Sequence, residues 1–173
     1  MTPRDAVNRF GTHVYADQHH CIATAGRCII TYSKQPPDAK YFAAWHATVD
    51  HLLQQAPGMF SVVNVIDSSA PPPSDAARQL IADAMQRHAR SIDRFAHVVE
   101  GRGFGAAAIR SALSLLSLAA RTPYRQKVFA SVEDAGAWLV QAASEPSSGL
   151  EARALSSLVH TMRDKVAGLA RAG

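Results

Sequence analysis

Between Phe60 and Ser131 short apolar runs alternate with stretches whose apolar residues recur every three or four positions. Phe60-Ser-Val-Val-Asn-Val-Ile-Asp67 is mostly β-branched and apolar, with Pro57-Gly58 before it and Ser68-Ser-Ala-Pro-Pro-Pro73 after it, which predicts a buried strand. Arg94-Phe-Ala-His-Val-Val-Glu100, closed by Gly101, is a second such run, and Gln126 to Ser131 a third. Between them, a pattern starting at Ser74 or Asp75 turns Leu80, Ile81, Met85 and His88 inward. Another, from about Gly103 to Ala120, places Ile109, Leu113, Leu116 and Ala120 on one face and Leu115 and Leu118 on a second. Parallel strands need crossovers of about a dozen residues or more, usually a helix, so the alternation predicts an α/β fold with a mostly parallel sheet of about five strands.

The flanks extend this plan. His13 to Asp17 and Cys21 to Tyr32 are rich in strand formers and predict two strands, antiparallel to each other, with Gly26 or Gln18-His19-His20 as the turn or bulge. Asp38 is placed to cap a helix carrying Tyr41, Phe42, Trp45, Val49, Leu52 and Leu53 on one stripe. Ser131 and Asp134 stand at capping-box spacing before a short helix, Val132 to Val140. Glu145-Pro-Ser-Ser-Gly149 is a linker by composition, and Leu155, Leu158, Val159, Met162, Val166 and Leu169 mark a last amphipathic helix. The expected organisation is a leader over 1–12, an α/β domain over 13–142, a linker over 143–149 and a helix over 150–173. That helix needs a partner, either its own domain or another copy. Leu115, Leu118, Leu158 and Met162 are the expected interface residues in either case, with the second apolar face of the 103–120 helix as the seat.

With 47% hydrophobic residues the 173-residue chain can build a core. A net charge of +4 raises the question of nucleic acid, but only 18% of residues are charged and no basic run concentrates them, so no nucleic-acid partner is expected. No sustained apolar run follows the N-terminus, and the least polar stretch, Phe104 to Ala120, is interrupted by Arg110. A membrane span needs about 20 apolar residues, so neither a secretory signal nor a span is expected, and the expected location is cytoplasmic. There Cys21 and Cys28 are expected as free thiols.

Candidate chemistry is sparse. Gly101-Arg-Gly-Phe-Gly-Ala106 follows a strand and opens a helix, the arrangement in which backbone amides cradle phosphate, so Arg102, Gly103 and Gly105 are candidate anion or ligand contacts. The motif follows a late strand, however, and no acidic residue ends the next one. His19, His20, Cys21 and Cys28 are metal-capable, but neighbours on a strand point to opposite faces and the spacing fits no closed site, so no metal and no cofactor are expected. His46 and His51 cannot share a ligand on one helix, and His97 inside a strand is expected in the core. No nucleophile elbow is present, and Tyr41, Phe42 and Trp45, an aromatic set of the kind that lines apolar pockets, are expected to be core.

The order strand, strand, helix, strand, helix, strand, helix, strand, short helix resembles the STAS domain and its SpoIIAA-like relatives. Val-Val-Asn-Val-Ile-Asp67-Ser68-Ser69 and Lys127-Val-Phe-Ala-Ser-Val-Glu-Asp-Ala135-Gly-Ala-Trp138-Leu139 carry the likeness, which covers about residues 13 to 142. The resemblance implies a non-enzymatic, regulatory protein-interaction module with a protein partner, self-association included. It also implies phosphorylation at Ser68, the position of the serine that a partner kinase modifies in antagonist-type STAS domains. Here Ala70-Pro-Pro-Pro73 stands where those domains have Gly-Leu, which moves Ser68 off the helix tip and into a loop. The alternative expectation is a small-ligand binding domain, holding an apolar molecule or an anion at the helix N-termini after Asp67 and Glu100.

Overall fold

The computed structural model describes residues 12–101, 103–119, 122–141 and 152–173, the side chains of 112, 115–119 and 152 apart. Six strands lie side by side in chain order: β1 Thr12–Ala16, β2 His20–Ala25, β3 Cys28–Ser33, β4 Phe60–Ile66, β5 Ile92–Val99 and β6 Arg125–Phe129. β1, β2 and β3 pair antiparallel, and β3 to β6 pair parallel. The helices are α1 Ala39–Gln55, α2 Asp75–His88, α3 Phe104–Ala119, α4 Val132–Gln141 and α5 Ala152–Ala172. Each of α1, α2 and α3 carries the chain from one parallel strand to the next, as the alternating pattern requires.

The N-terminal part holds three strands instead of the expected two, because both candidate turns are used. Asp17 Oδ1 accepts the backbone N–H groups of His19 and His20, each at 2.7 Å, and folds β1 onto β2. Gly26, at φ 55°, turns β2 into β3. Beside that turn Arg27 donates to the carbonyls of Ala56 (2.6 Å) and Met59 (2.7 Å), so a cation closes the C-terminal end of α1 where free carbonyls collect.

Capping follows the residues that predict it. Asp38 accepts from the Tyr41 amide at 2.8 Å, and Ser74 accepts from Ala77 at 3.2 Å. Ser131 Oγ accepts from the Asp134 amide at 3.1 Å and donates to the Asp134 carboxylate at 2.8 Å. The shorter aspartate thus bonds the capping hydroxyl, where a capping-box glutamate would reach the backbone.

Two apolar layers sandwich the sheet. On one face Cys21, Ala23, Ile30, Tyr32, Val63, Val65, Ala96, Val98 and Phe129 meet Val132, Ala135 and Leu139 of α4 and Leu155, Leu158, Val159, Met162 and Val166 of α5. On the other, Ile22, Ile29, Phe60, Val62, Ile92 and Phe95 meet Tyr41, Phe42, Trp45, Val49 and Leu52 of α1 and Ala84 of α2. The last helix therefore packs on its own chain, and its seat is β1 to β3 and α4, not the second face of α3. The open edge of the apolar sheet face left by the short α4 explains this, since a 21-residue amphipathic helix can cover it. The expected linker and most of the expected leader lie outside the described residues; Thr12 opens β1.

Candidate functional site at the carboxyl end of the sheet

β3, β4 and β5 end together at Ser33, Ile66 and Val99, and the loops that follow β4 and β5 meet there. Asp67 organises this end. One carboxylate oxygen accepts from the Tyr32 hydroxyl at 2.7 Å, and the other accepts from the Ser69 amide (2.9 Å) and hydroxyl (2.6 Å). Its amide donates to the Ser33 carbonyl and its carbonyl accepts from Ala70, both at 2.9 Å. Burial raises the carboxyl pKa, but the bonds from Ser69 and Tyr32 and the nearby Lys34 outweigh it and hold Asp67 below its ordinary value. Asp67 is thus an ionised acceptor committed to shaping a turn.

Ser68 is exposed in that turn, in a loop and away from a helix tip, as the three prolines predict. Its neighbour across the end is Gly101. At φ +110° a side chain there is strained, and an added Cβ would sit 3.1 Å from Ser68 Cβ. Glu100 pairs with Arg163 of α5, whose guanidinium also lies 5.7 Å from the Tyr32 ring centre. Arg110 of α3 donates to the carbonyls of Val99 (2.8 Å) and Gly101 (3.2 Å), tying the helix to the loop.

The structure separates the remaining candidates. Gly103 and Gly105 are exposed at the start of α3, with nothing near an added Cβ, and no close approach of backbone explains Gly105. Gly103, at φ +125°, is explained by its conformation. Between them Phe104 is 91% exposed. Arg102 lies outside the described residues, as do the side chains of Leu115 and Leu118. Leu158 and Met162 lie in the core cluster between α5 and the sheet, the own-domain case of the two expected for that helix.

Tyr41, Phe42 and Trp45 are core, not a pocket lining. Cys21 pairs with Tyr32 and Cys28 with Ala25 across β2 and β3, so the thiols stand four positions apart on the ladder, about 13 Å at the strand rise. Both are free and buried, and burial pushes them up to about 11 and 12, which leaves neither as a ready nucleophile. Among the described residues no three His, Cys, Asp or Glu side chains gather as a metal-ligand set, and no helix is long and apolar enough to cross a membrane.

Two polar groupings were not foreseen. His46 of α1 and His88 of α2 face each other, Nδ1 to Nε2, at 2.9 Å, one of the few links between these helices. Burial lowers both pKa values, with Arg87 adding to the shift and, at His88, the facing ring. The second grouping is a row along the sheet. Thr31 donates to Asn64 Oδ1 at 2.9 Å, Asn64 Nδ2 lies 3.4 Å from His97 Nδ1, His97 bonds Gln126, and Gln126 Nε2 donates to Thr122 at 2.8 Å. The register Thr31, Asn64, His97 across β3, β4 and β5 builds most of it. Parity could have found it, because Asn64 and His97 occupy equivalent middle positions of adjacent parallel strands. Comparison with known proteins places the chain beside none of them: no family model, no curated protein and no solved structure matches it.

Proposed function

We propose that the chain is a non-enzymatic, STAS-like and SpoIIAA-like protein-interaction module, working in a reducing compartment through the loops after β4 and β5. A mostly parallel sheet with helical crossovers supports this reading at the level of fold class, with one N-terminal strand more than the resemblance implies, and both thiols are free. The observation that carries it is Phe104, a large apolar side chain 91% exposed at the start of α3, on the loop whose Gly101 packs against exposed Ser68. A large apolar side chain left in water at the end of the sheet where the Asp67 carboxylate holds the neighbouring loop rigid is suited to contact with another protein. Asp67 makes the surface; it is not free to do chemistry on a substrate.

The test is photo-crosslinking in intact cells with benzoylphenylalanine at position 104, and at exposed Gln86 as the reference. The proposal expects a discrete protein adduct from 104 and none from 86. An adduct of twice the chain mass identifies a second copy, and any other mass a foreign protein. No adduct from 104, or equal labelling from both positions, contradicts it.

A further inference from the structure

α2 has a thin hold on the interior. Of its 14 residues only Ala77, Ala84 and His88 are buried, so the one large side chain it commits fully to the core is an imidazole in its last turn. α1, by contrast, buries Tyr41, Phe42, Trp45, Val49 and Leu52. His46 of α1 meets His88 with Nδ1 2.9 Å from Nε2 and the ring centres 5.1 Å apart. The two nitrogens lie between the ring centres and point at each other, so only one of them carries a proton there. Trp45 packs on both rings, 5.6 Å from His46 and 5.2 Å from His88, and Phe42 lies 6.3 Å from His46. The charged groups that face the pair are Arg87 of α2 and Asp50 of α1, themselves 3.6 Å apart as an ion pair.

We propose that this pair is an acid-released latch: when both rings are protonated, the C-terminal half of α2 parts from α1 while the sheet stays folded. Hydrogen-bond chemistry sets the order of events. Two neutral rings hold together as one N–H donor and one lone-pair acceptor, and a first proton, taken by the outer nitrogen of the donor ring, leaves that bond in place. A second proton has only the facing nitrogen of the acceptor ring left to take. It sets N–H against N–H and two cations side by side, with a single carboxylate nearby that Arg87 already shares. Burial lowers both pKa values, Arg87 and, at His88, the facing ring add to the shift, and Asp50 opposes it. The latch is therefore closed above the ordinary 6.5 and loses its hold as pH falls through the lowered values. α2 yields before the strands do because His88 is its one large buried side chain, whereas Ile29, Ile30, Val62 and Val63 of β3 and β4 are covered on both faces of the sheet. This device is separate from the loop surface at Phe104, and each proposal stands without the other.

Hydrogen exchange of the full chain, read by mass spectrometry and corrected for the intrinsic pH dependence of exchange, tests it from about pH 7.5 to about pH 5, above the value near 4 at which His97 titrates. Peptides of α2 are expected to lose protection at least tenfold on acidification, with those of β3 and β4 unchanged. His88→Gln and His46→Gln each replace one titrating ring by an amide whose oxygen accepts from the other ring, charged or neutral, and each should leave the protection of α2 independent of pH. Should His88→Gln fail to fold, His46→Gln, at the half-buried partner, decides. Constant α2 protection in the wild type, an equal loss in the wild type and a folded variant, or loss of α2 and the strands together overturns the proposal.

Discussion

The two faces of the sheet are built from the same strands but differ in kind. Under α4 and α5 the cover is continuous and apolar, closed by Leu155, Met162 and Val166, each fully buried. Under α1 to α3 the lower half is an aromatic and aliphatic core, and the upper half is a polar row that starts at buried Thr31 and is half-buried at Asn64, His97 and Gln126. Burying polar groups in a sheet adds little net stability even when they are bonded, and costs about 1–3 kcal/mol per group left unpaired. A face that keeps such a row where its sister face uses valine and alanine is not optimised for stability alone. The contrast sets a wholly apolar layer on one side against a layer that carries a polar row on the other.

Substitution should separate the two. Met162→Ala removes a fully buried side chain from the sealed face and is expected to destabilise by about 3–4 kcal/mol in urea unfolding. Asn64→Leu, on the face that carries the polar row, leaves the buried Thr31 hydroxyl without its acceptor and should cost about 1–2 kcal/mol, still well below Met162→Ala. Comparable losses at both sites would erase the distinction.

Acid should act through the open face. His97 is held near 4 in the folded chain against an ordinary 6.5, so between those values the unfolded chain binds a proton that the folded chain refuses. Stability contributed above pH 6.5 is therefore lost as pH falls toward 4, by about 3 kcal/mol for that shift. His13, His46 and His88 are also lowered and act in the same sense. The contribution of His97 is read as the difference between wild type and His97→Leu, whose unfolding free energy should depend less steeply on pH over this range. Parallel pH profiles would show that His97 titrates normally and is not desolvated.

A smaller effect is expected at the carboxyl end. Gly101→Ala combines a strained φ of +110° with a 3.1 Å approach to Ser68 and should cost about 1–3 kcal/mol, while shifting the Ser68 and Ser69 amide resonances. Unchanged resonances would mean that the turn is not packed against Gly101.

Much of the layered plan was legible because it rests on local signals. Apolar runs bounded by proline and glycine marked β4 and β5, three-and-four spacing marked four of the helices and capping-box spacing the short α4, and Asp38, Ser74 and Ser131 cap where their side chains predict. The third N-terminal strand was missed because Cys21 to Tyr32 reads as one continuous strand-forming run, in which Gly26 fits a bulge as well as the turn between β2 and β3 that it makes. The seat of α5 was misjudged for a different reason. An amphipathic stripe says how much surface it must cover but not which surface is bare, and that depends on the length of α4. Of the candidate site, the Asp67 turn and the exposed position of Ser68 followed from the three prolines. The polar row did not, since His97 and Asn64 are 33 residues apart and meet only through parallel register.

Thiol accessibility tests the contrast between the faces most directly. Asn64→Cys and Val63→Cys place a thiol on adjacent residues of β4 that point to opposite faces, with buried Cys21 and Cys28 as internal references. Under native conditions the thiol at 64 should react with a small disulfide reagent well before the references, and the thiol at 63 only at the rate of unfolding. Equal protection at both positions, or equal reactivity, would contradict a sheet sealed on one side and open on the other.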